Sequence, residues 1–266
     1  LFGLPMVIAD INVGVLFVFA IASLGVYGIV IAGWSSNSKY PFLGGVRSSS
    51  QMISYELSLG LAVIPVFLLV GQLRLTEIVR YQIEHGWMIA PFIGDWMNIG
   101  KWLLAVPMLI SFVVFTIAIF AETNRLPFDL PEAETELVGG YHTEYGSMKF
   151  GLFFLGEYIA MITGASIIVT LFLGGWHLPI PSLAGGFHWT YFDGSGEGWR
   201  GIAGGLFNIA TFFAKVILLL LVFIWVRWTV PRFRYDQLMR LGWVFFFEIA
   251  LVNIFVAAII LAYFPL

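Results

Sequence analysis

The chain has 266 residues, of which 60% are apolar and only 11% are charged. Ordinary soluble domains are about 45–50% apolar and about 25% charged, so this composition excludes a soluble globular protein. The formal net charge of −3 argues against nucleic acid as a partner, and the chain contains no cysteine for disulfides, iron–sulfur ligation, thiolate zinc sites or covalently attached haem.

Six apolar segments are long enough to cross a bilayer as helices. We name them spans A to F, and they cover residues 11–33, 52–71, 102–121, 150–173, 206–227 and 241–264. Between B and C, Leu75, Ile78, Val79 and Ile83 recur at helical spacing, which predicts a short helix at the membrane interface or in a solvated loop. The predicted fold is all-α, a polytopic transmembrane helical bundle that forms a single domain over residues 1–266.

The basic residues indicate how the bundle is oriented. The connections A–B, C–D and E–F carry most of them: Lys39, Arg47, Arg125, Lys149, Arg227, Arg232, Arg234 and Arg240. The connections B–C and D–E carry Arg74, Arg80, Lys101 and Arg200. Because basic loops stay on the inside, we expect the first group to face the cytoplasm of a bacterial inner membrane, with the matrix side of the mitochondrial inner membrane as the alternative.

The connection between spans C and D, residues 122–149, is an acidic cytoplasmic loop with a single arginine in its most acidic part. Its six acids are Glu122, Asp129, Glu132, Glu134, Glu136 and Glu144. Asp129 can cap a helix over residues 130–138, with Pro131 in its first turn and Gly139-Gly140 after its end. A solvated acidic loop without further function is the alternative.

Four acids fall within or at the ends of the spans, all in the predicted cytoplasmic half: Glu56, Glu122, Glu157 and Glu248. A carboxylate at the centre of a membrane helix costs about 2.5–3.5 kcal/mol on insertion scales, so four of them indicate a shared hydrated interior where coupled carboxylates could carry protons. Isolated acids with local partners are the alternative. Lys215 could serve as a counter-charge for one of them or extend to the membrane edge.

The histidines argue against a membrane cytochrome. His85, His142, His177 and His188 all fall outside the predicted spans, so haem clamped between two membrane helices is not expected. The loop between E and F places Arg232, Arg234 and Asp236 beside aromatic residues. This pattern is typical of a segment that anchors the protein to lipid headgroups, and equally of a docking surface for an acidic partner or a polar headgroup. Arg47 lies on the same predicted side and allows the same two interpretations.

The acidic run 121–145, followed by Phe153-Phe154-Leu155-Gly156-Glu157-Tyr158, closely resembles one membrane component of proton-pumping NADH:quinone oxidoreductase, respiratory complex I. This component is the H subunit of the bacterial enzyme and is called subunit 1 in mitochondria. The stretches 44–47, 53–56 and 231–239 agree, and the resemblance covers essentially the whole chain. That family usually has eight membrane helices, of which A to F resemble the last six. The sequence begins at Leu1, so we expect the first two helices and part of the quinone path to be missing from it.

The resemblance implies a membrane protein that joins the membrane arm to the peripheral arm and forms part of a quinone chamber with two hydrophilic subunits. It implies no cofactor bound by this chain alone, with quinone as substrate at a shared site and with iron–sulfur clusters and FMN in partner subunits. The acids implied beside the chamber are Asp129, Glu132, Glu134, Glu136 and Glu144. Those implied to continue a buried path toward antiporter-like membrane subunits are Glu56, Glu122 and Glu157, while Arg47, Arg232, Arg234 and Asp236 lie on the chamber or docking side.

We therefore expect a subunit that couples quinone reduction to proton translocation, without independent catalytic activity. Its expected partners are other complex I subunits, quinone and membrane lipids. Three alternatives remain: the membrane anchor of an energy-converting hydrogenase, a stand-alone proton or cation transporter, and a purely structural anchor.

Overall fold

The computed structural model describes residues 9–91, 99–129, 139–178, 180–181, 189–190 and 199–264. The helices are α1 (Gly14–Ser35), α2 (Lys39–Val70), α3 (Leu75–His85), α4 (Ile99–Glu122), α5 (Ser147–Phe172), α6 (Trp199–Thr229), α7 (Tyr235–Arg240) and α8 (Phe247–Tyr263). A π-helical segment, Leu241–Phe246, joins α7 to α8, and Gly140–His142 form a 3₁₀ turn. Two short strands, β1 (Ile180–Pro181) and β2 (Trp189–Thr190), pair antiparallel.

The predicted polytopic helical bundle is confirmed, since six helical segments are long and apolar enough to span a membrane. These are Gly14–Ser35, Lys39–Val70, Ile99–Glu122, Ser147–Phe172, Gly201–Thr229 and Tyr235–Tyr263. The short helix predicted between B and C is α3, which buries Ile78 and Val79 together with Gln82. The predicted segments and the observed helices agree closely except at span B.

Helix α2 begins at Lys39, 13 residues before the predicted start of span B, so the prediction that Lys39 and Arg47 lie in a loop is wrong. Its first turns are polar and contain two glycines, so an analysis based on apolar runs does not identify them as part of the helix. The glycines are required by close packing: a Cβ on Gly44 would meet the backbone nitrogen of Tyr141 at 2.8 Å. With 32 residues, α2 is about 48 Å long and exceeds the hydrocarbon core of about 30 Å.

The other connections are likewise a few residues shorter than predicted, because the helices extend further at their ends. Basic residues assigned to loops lie instead in the first or last turns of helices: Lys101 in α4, Lys149 in α5, Arg200 and Arg227 in α6, and Arg240 in α7. Glu122 is likewise the last residue of α4, so the C–D connection covers residues 123–146. The helix predicted over residues 130–138 lies outside the described residues.

The central position of α2 brings α1, α4 and α8 together around a continuous apolar core. Fully buried members of this core include Tyr55, Phe115 and Phe172. The Tyr55 hydroxyl donates a 3.0 Å hydrogen bond to the Leu238 carbonyl, and the Ser58 hydroxyl donates to the Gly242 carbonyl at 3.3 Å. Polar side chains of α2 thus bind carbonyls beside and within the π-helical segment, where the regular helical hydrogen bonding is interrupted.

The contacts between connections show that alternate loops share one end of the bundle. The Tyr145 hydroxyl donates to the Ala32 carbonyl at 3.0 Å, which joins the C–D connection to the end of α1. The Phe233 backbone donates to the Pro127 carbonyl at 3.2 Å, which joins it to the connection before α7. At the opposite end, the Gly174 backbone after α5 donates to Gln82 of α3 at 2.8 Å.

Candidate functional site

A buried ion pair lies where the C–D connection meets α5. Arg125 and Glu157 approach to 3.2 Å, and the side chain of each is only 11% exposed. The Tyr141 hydroxyl donates a 3.0 Å hydrogen bond to the other oxygen of Glu157, and the Arg125 guanidinium lies 4.5 Å from the ring centre of Tyr158. Glu157 therefore has one cationic neighbour and one neutral hydrogen-bond donor, both from outside its own helix turn.

A second ion pair extends this arrangement toward α7. Arg232 donates a 2.9 Å hydrogen bond to Oδ2 of Asp129. Burial raises the pKa of the Asp129 carboxyl, while the guanidinium of Arg232 opposes that shift and the charge of Glu157 adds to it. Its Oδ1 is buried and has no hydrogen-bond partner within the described ranges, so a proton there would relieve an unfavourable burial.

Two further carboxylates lie on the adjoining helices. Glu56 of α2 and Glu122 at the end of α4 are both partly buried, and the charge of Glu56 acts on Glu122. We call Glu56, Glu122, Asp129 and Glu157, with their partners Arg125 and Arg232, the acidic cluster. Its members come from α2, α4, α5, the C–D connection and the connection before α7. The charge of Glu56 acts on Glu122, and the charges of Glu157, Arg125 and Arg232 act on Asp129.

Two buried amides hold the start of the C–D connection in place. Gln51 of α2 donates to the carbonyls of Ala121 at 2.8 Å and Phe128 at 2.9 Å, thereby closing the turn that carries Arg125. Asn124 adopts a positive φ of 49° within this turn and donates to the Ser48 hydroxyl at 3.2 Å. Both amides are at least 96% buried, with exposures of 1% and 4%.

The sequence prediction missed Arg125, Gln51 and Asn124 as site residues. The sequence did contain one signal for Arg125, which is the single arginine among many acids and lies four residues after the end of a predicted span. The two amides gave no signal, because neutral polar residues near the end of a span are common and only the fold places them together.

The remaining predicted site residues fall into three groups. Glu132, Glu134 and Glu136 lie outside the described residues. Glu144, Arg234 and Asp236 are exposed. Arg47 is partly buried on the first half of α2, with its guanidinium 5.9 Å from the ring centre of Tyr235.

Lys215 forms a different polar site at the opposite end of the bundle. Its ammonium donates to the carbonyls of Leu173 at 2.6 Å, Gly175 at 3.0 Å and His177 at 2.6 Å, and lies 4.6 Å from the Trp87 ring centre. Gln82 of α3 binds the same turn. We call Lys215, Gln82 and these three carbonyls the Lys215 junction. Lys215 therefore binds backbone carbonyls rather than serving as a counter-charge for an acid or extending to the membrane edge.

His177 adjoins this junction outside the spans. Burial lowers the pKa of its imidazole to about 4, and the nearby Lys215 charge contributes in the same direction. Its ring is therefore neutral at physiological pH. No group of three or more potential metal ligands occurs among the residues that the structure describes.

Chemically, the acidic cluster combines carboxylates that can bind and release protons, whereas the junction holds one cation against backbone carbonyls. Coupled carboxylates with buried oxygens respond to a nearby change of charge by changing their protonation. The cluster also contains two guanidinium groups that can interact with a developing anion.

Comparison with known proteins identifies the family. The family described as NADH dehydrogenase matches residues 1–258. The H subunit of NADH-quinone oxidoreductase from Rhodospirillum centenum is 48% identical over 263 residues, which cover 99% of this chain and 68% of the relative. Subunit 8 of the enzyme from Rhodothermus marinus is 48% identical over 99% of this chain and 72% of the relative, and the H subunit from Rickettsia typhi is 48% identical over 98% and 68%. This multi-pass membrane chain, with its buried acidic cluster, belongs to the NADH dehydrogenase family that contains the H subunit of NADH-quinone oxidoreductase.

Proposed function

We propose that this chain is the membrane subunit that forms part of the quinone chamber of NADH:quinone oxidoreductase, and that its acidic cluster couples quinone reduction to proton translocation. The observation that carries the proposal is the ion pair between Arg125 and Glu157, buried at the junction of a loop and a membrane helix. The names of the relatives supply the reaction, and the acidic cluster supplies groups that can respond to it.

The physical argument begins with charge. Two-electron reduction of a quinone creates negative charge that two protons must neutralise. A buried carboxylate near this charge binds a proton more readily, because Coulomb interactions are strong where the effective dielectric constant is low. Uptake of a proton by the cluster would then weaken the attraction between Glu157 and Arg125, and the guanidinium would be free to interact with the anion.

Under the proposal the signal passes between two parts of the cluster, within each of which the charges act on one another. Asp129 responds to the charges of Glu157, Arg125 and Arg232, and Glu122 responds to Glu56. Antiporter-like membrane subunits would receive this change from Glu56 and Glu122, while hydrophilic subunits would hold the iron–sulfur clusters and FMN. Under this proposal the chain itself binds no cofactor and has no catalytic activity alone.

The decisive experiment compares Glu157→Gln with Glu77→Gln in the assembled complex. Glu77 forms an exposed ion pair with Arg80 on α3, away from the acidic cluster, and is therefore a matched carboxylate control. We expect Glu157→Gln to lower both quinone reduction and proton pumping, while Glu77→Gln leaves both unchanged. Reduction of an artificial acceptor by the flavin module should stay normal in both variants.

Normal quinone reduction and normal pumping with Glu157→Gln, Glu122→Gln and Glu56→Gln would contradict the coupling role and favour a structural anchor. Proton transport by the purified subunit in liposomes, without partners, would instead favour a stand-alone transporter.

A further inference from the structure

Glu157 is enclosed by protein although it lies within a membrane-spanning helix. Its side chain is 11% exposed, whereas Glu248, another acid predicted within a span, is exposed on α8. The Oε2 atom of Glu157 lies 3.2 Å from the Arg125 guanidinium, but among the described residues this contact is an ion pair without a hydrogen bond. Attraction between charges has no preferred angle, so Arg125 alone does not fix the direction of the carboxylate.

The Tyr141 hydroxyl supplies the directional contact. It donates a 3.0 Å hydrogen bond to Oε1 of Glu157, and Tyr141 is only 1% exposed. The Tyr141 ring packs edge-on against Phe153, with 5.5 Å between the ring centres. This packing holds the ring in place, and therefore also its hydroxyl.

Helix α2 fixes the backbone of Tyr141. Gly44 of α2 packs so closely that a Cβ there would lie 2.8 Å from the Tyr141 nitrogen and 3.0 Å from the Gly140 carbonyl carbon. Gly140 adopts a φ of 67°, which favours glycine, and its carbonyl accepts a 2.7 Å hydrogen bond from the Thr143 hydroxyl. Tyr141 thus joins α2, through its backbone, to α5, through its hydroxyl.

A phenol hydroxyl can stay bonded to a carboxyl group when the protonation of that group changes. A hydroxyl both donates and accepts hydrogen bonds, whereas a guanidinium only donates them. Tyr141 donates to Oε1 when Glu157 is ionised. When Oε1 carries a proton, the same hydroxyl can rotate and accept a hydrogen bond from it, and the phenol keeps its own proton throughout. Arg125 has no lone pair for this purpose, and its attraction to a neutral carboxyl group is weak.

We propose that Tyr141 is a positioning residue of the coupling path, which orients Glu157 against Arg125 and makes Oε1 the atom that binds the proton. The inference rests on the proposed function, because it concerns how Glu157 takes part in coupling. In this role Tyr141 acts through Glu157 and transfers no proton itself.

The test compares Tyr141→Phe with Tyr145→Phe in the assembled complex in its membrane. Tyr145 is a matched control, because it lies in the same connection, its ring also packs against Phe153, and its hydroxyl donates to the Ala32 carbonyl rather than to an acid. Rates are expressed per assembled complex, as measured on native gels. We expect Tyr141→Phe to lower kcat for quinone reduction at least about fivefold with little change in the KM for quinone, while Tyr145→Phe changes kcat less than about twofold.

A double variant shows whether Tyr141 acts through Glu157. Glu157→Gln already removes the carboxylate, so adding Tyr141→Phe to it should cause no further loss of kcat. If the two losses multiply, Tyr141 acts elsewhere and the inference is wrong.

The outcomes separate this inference from the proposed function. Impaired quinone reduction in Glu157→Gln together with a normal kcat in Tyr141→Phe would overturn the inference alone. Normal quinone reduction and pumping in Glu157→Gln would remove Glu157 from the coupling path, and the inference with it. Equal losses of kcat in Tyr141→Phe and Tyr145→Phe, or loss of the assembled complex in Tyr141→Phe, would make the hydroxyl a purely structural group and would also overturn the inference.

Discussion

The two ends of the bundle treat buried charge in different ways. In the acidic cluster, charged side chains meet other charged side chains, and the Oδ1 atom of Asp129 lacks a partner among the described residues. In the Lys215 junction, one ammonium meets three backbone carbonyls at 2.6–3.0 Å, so each of its protons has an acceptor. The first arrangement changes energy when a proton moves, whereas the second fixes three chain segments together.

The comparison implies that loss of a charge should harm the two ends differently. At the acidic cluster it should affect both stability and coupling. At the Lys215 junction it should affect stability alone.

The largest effect is expected from Arg125→Met, which leaves Glu157 as an unpaired buried charge. Removing one partner of a buried ion pair costs about 3–5 kcal/mol, so we expect a large loss of assembled complex on native gels. The double variant Arg125→Met with Glu157→Leu removes both charges and should recover most of the assembly without recovering proton pumping. Arg80→Met, in an exposed pair, should assemble normally. Recovery of pumping by the double variant would contradict the prediction that the charges of the acidic cluster are needed for coupling as well as for stability.

The next effect is expected from Lys215→Met, which removes the donor from three buried carbonyls. An unsatisfied buried acceptor costs about 1–3 kcal/mol, although relaxation of the glycine turn at Gly174 and Gly175 will reduce the total. We expect a lower thermal midpoint of the complex, while pumping per assembled complex stays normal.

Lys215→Arg retains a cation and should lose less stability than Lys215→Met. If either variant assembles fully but pumps poorly, Lys215 belongs to the coupling path, and its end of the bundle is not merely structural.

A smaller effect is expected from the ion pair between Asp129 and Arg232, because the Arg232 side chain is 34% exposed. Partly exposed pairs contribute about 0–1 kcal/mol, so Arg232→Gln should assemble almost normally. Its effect should appear in the pH profile of quinone reduction. Because Arg232 opposes the upward shift in the pKa of Asp129, its removal raises that pKa further, and the acid limb should move to higher pH.

Asp129→Asn removes the titrating group, so the same limb should flatten in that variant. An unchanged profile in both variants would exclude Asp129 from the proton-linked step.

The sequence predicted the bundle, and four of its eight singled-out acids lie in the acidic cluster, because apolar spans and acids within or beside them leave local signals. Apolar runs identify spans, and acids such as Glu157 are conspicuous within them. Helix α2 was predicted too short because its first turns are stabilised by packing of Gly44 against the loop rather than by hydropathy. The pairing of Arg125 with Glu157 could not be predicted from spacing, since it depends on where Gln51, 70 residues or more from its partners, holds the turn.

The smallest effect is expected at His177, beside the Lys215 junction. Its pKa in the folded protein is about 4, below its ordinary value of 6.5, so the unfolded chain binds a proton there more readily between these two values. The contribution of His177 to stability is therefore present above pH 6.5 and is lost as the pH falls toward 4. His177→Phe should make the thermal midpoint less dependent on pH in this window, with no change in pumping at neutral pH. A pH dependence equal to that of the unmodified protein would assign the acid sensitivity to other groups, and the acidic cluster would be the first to test.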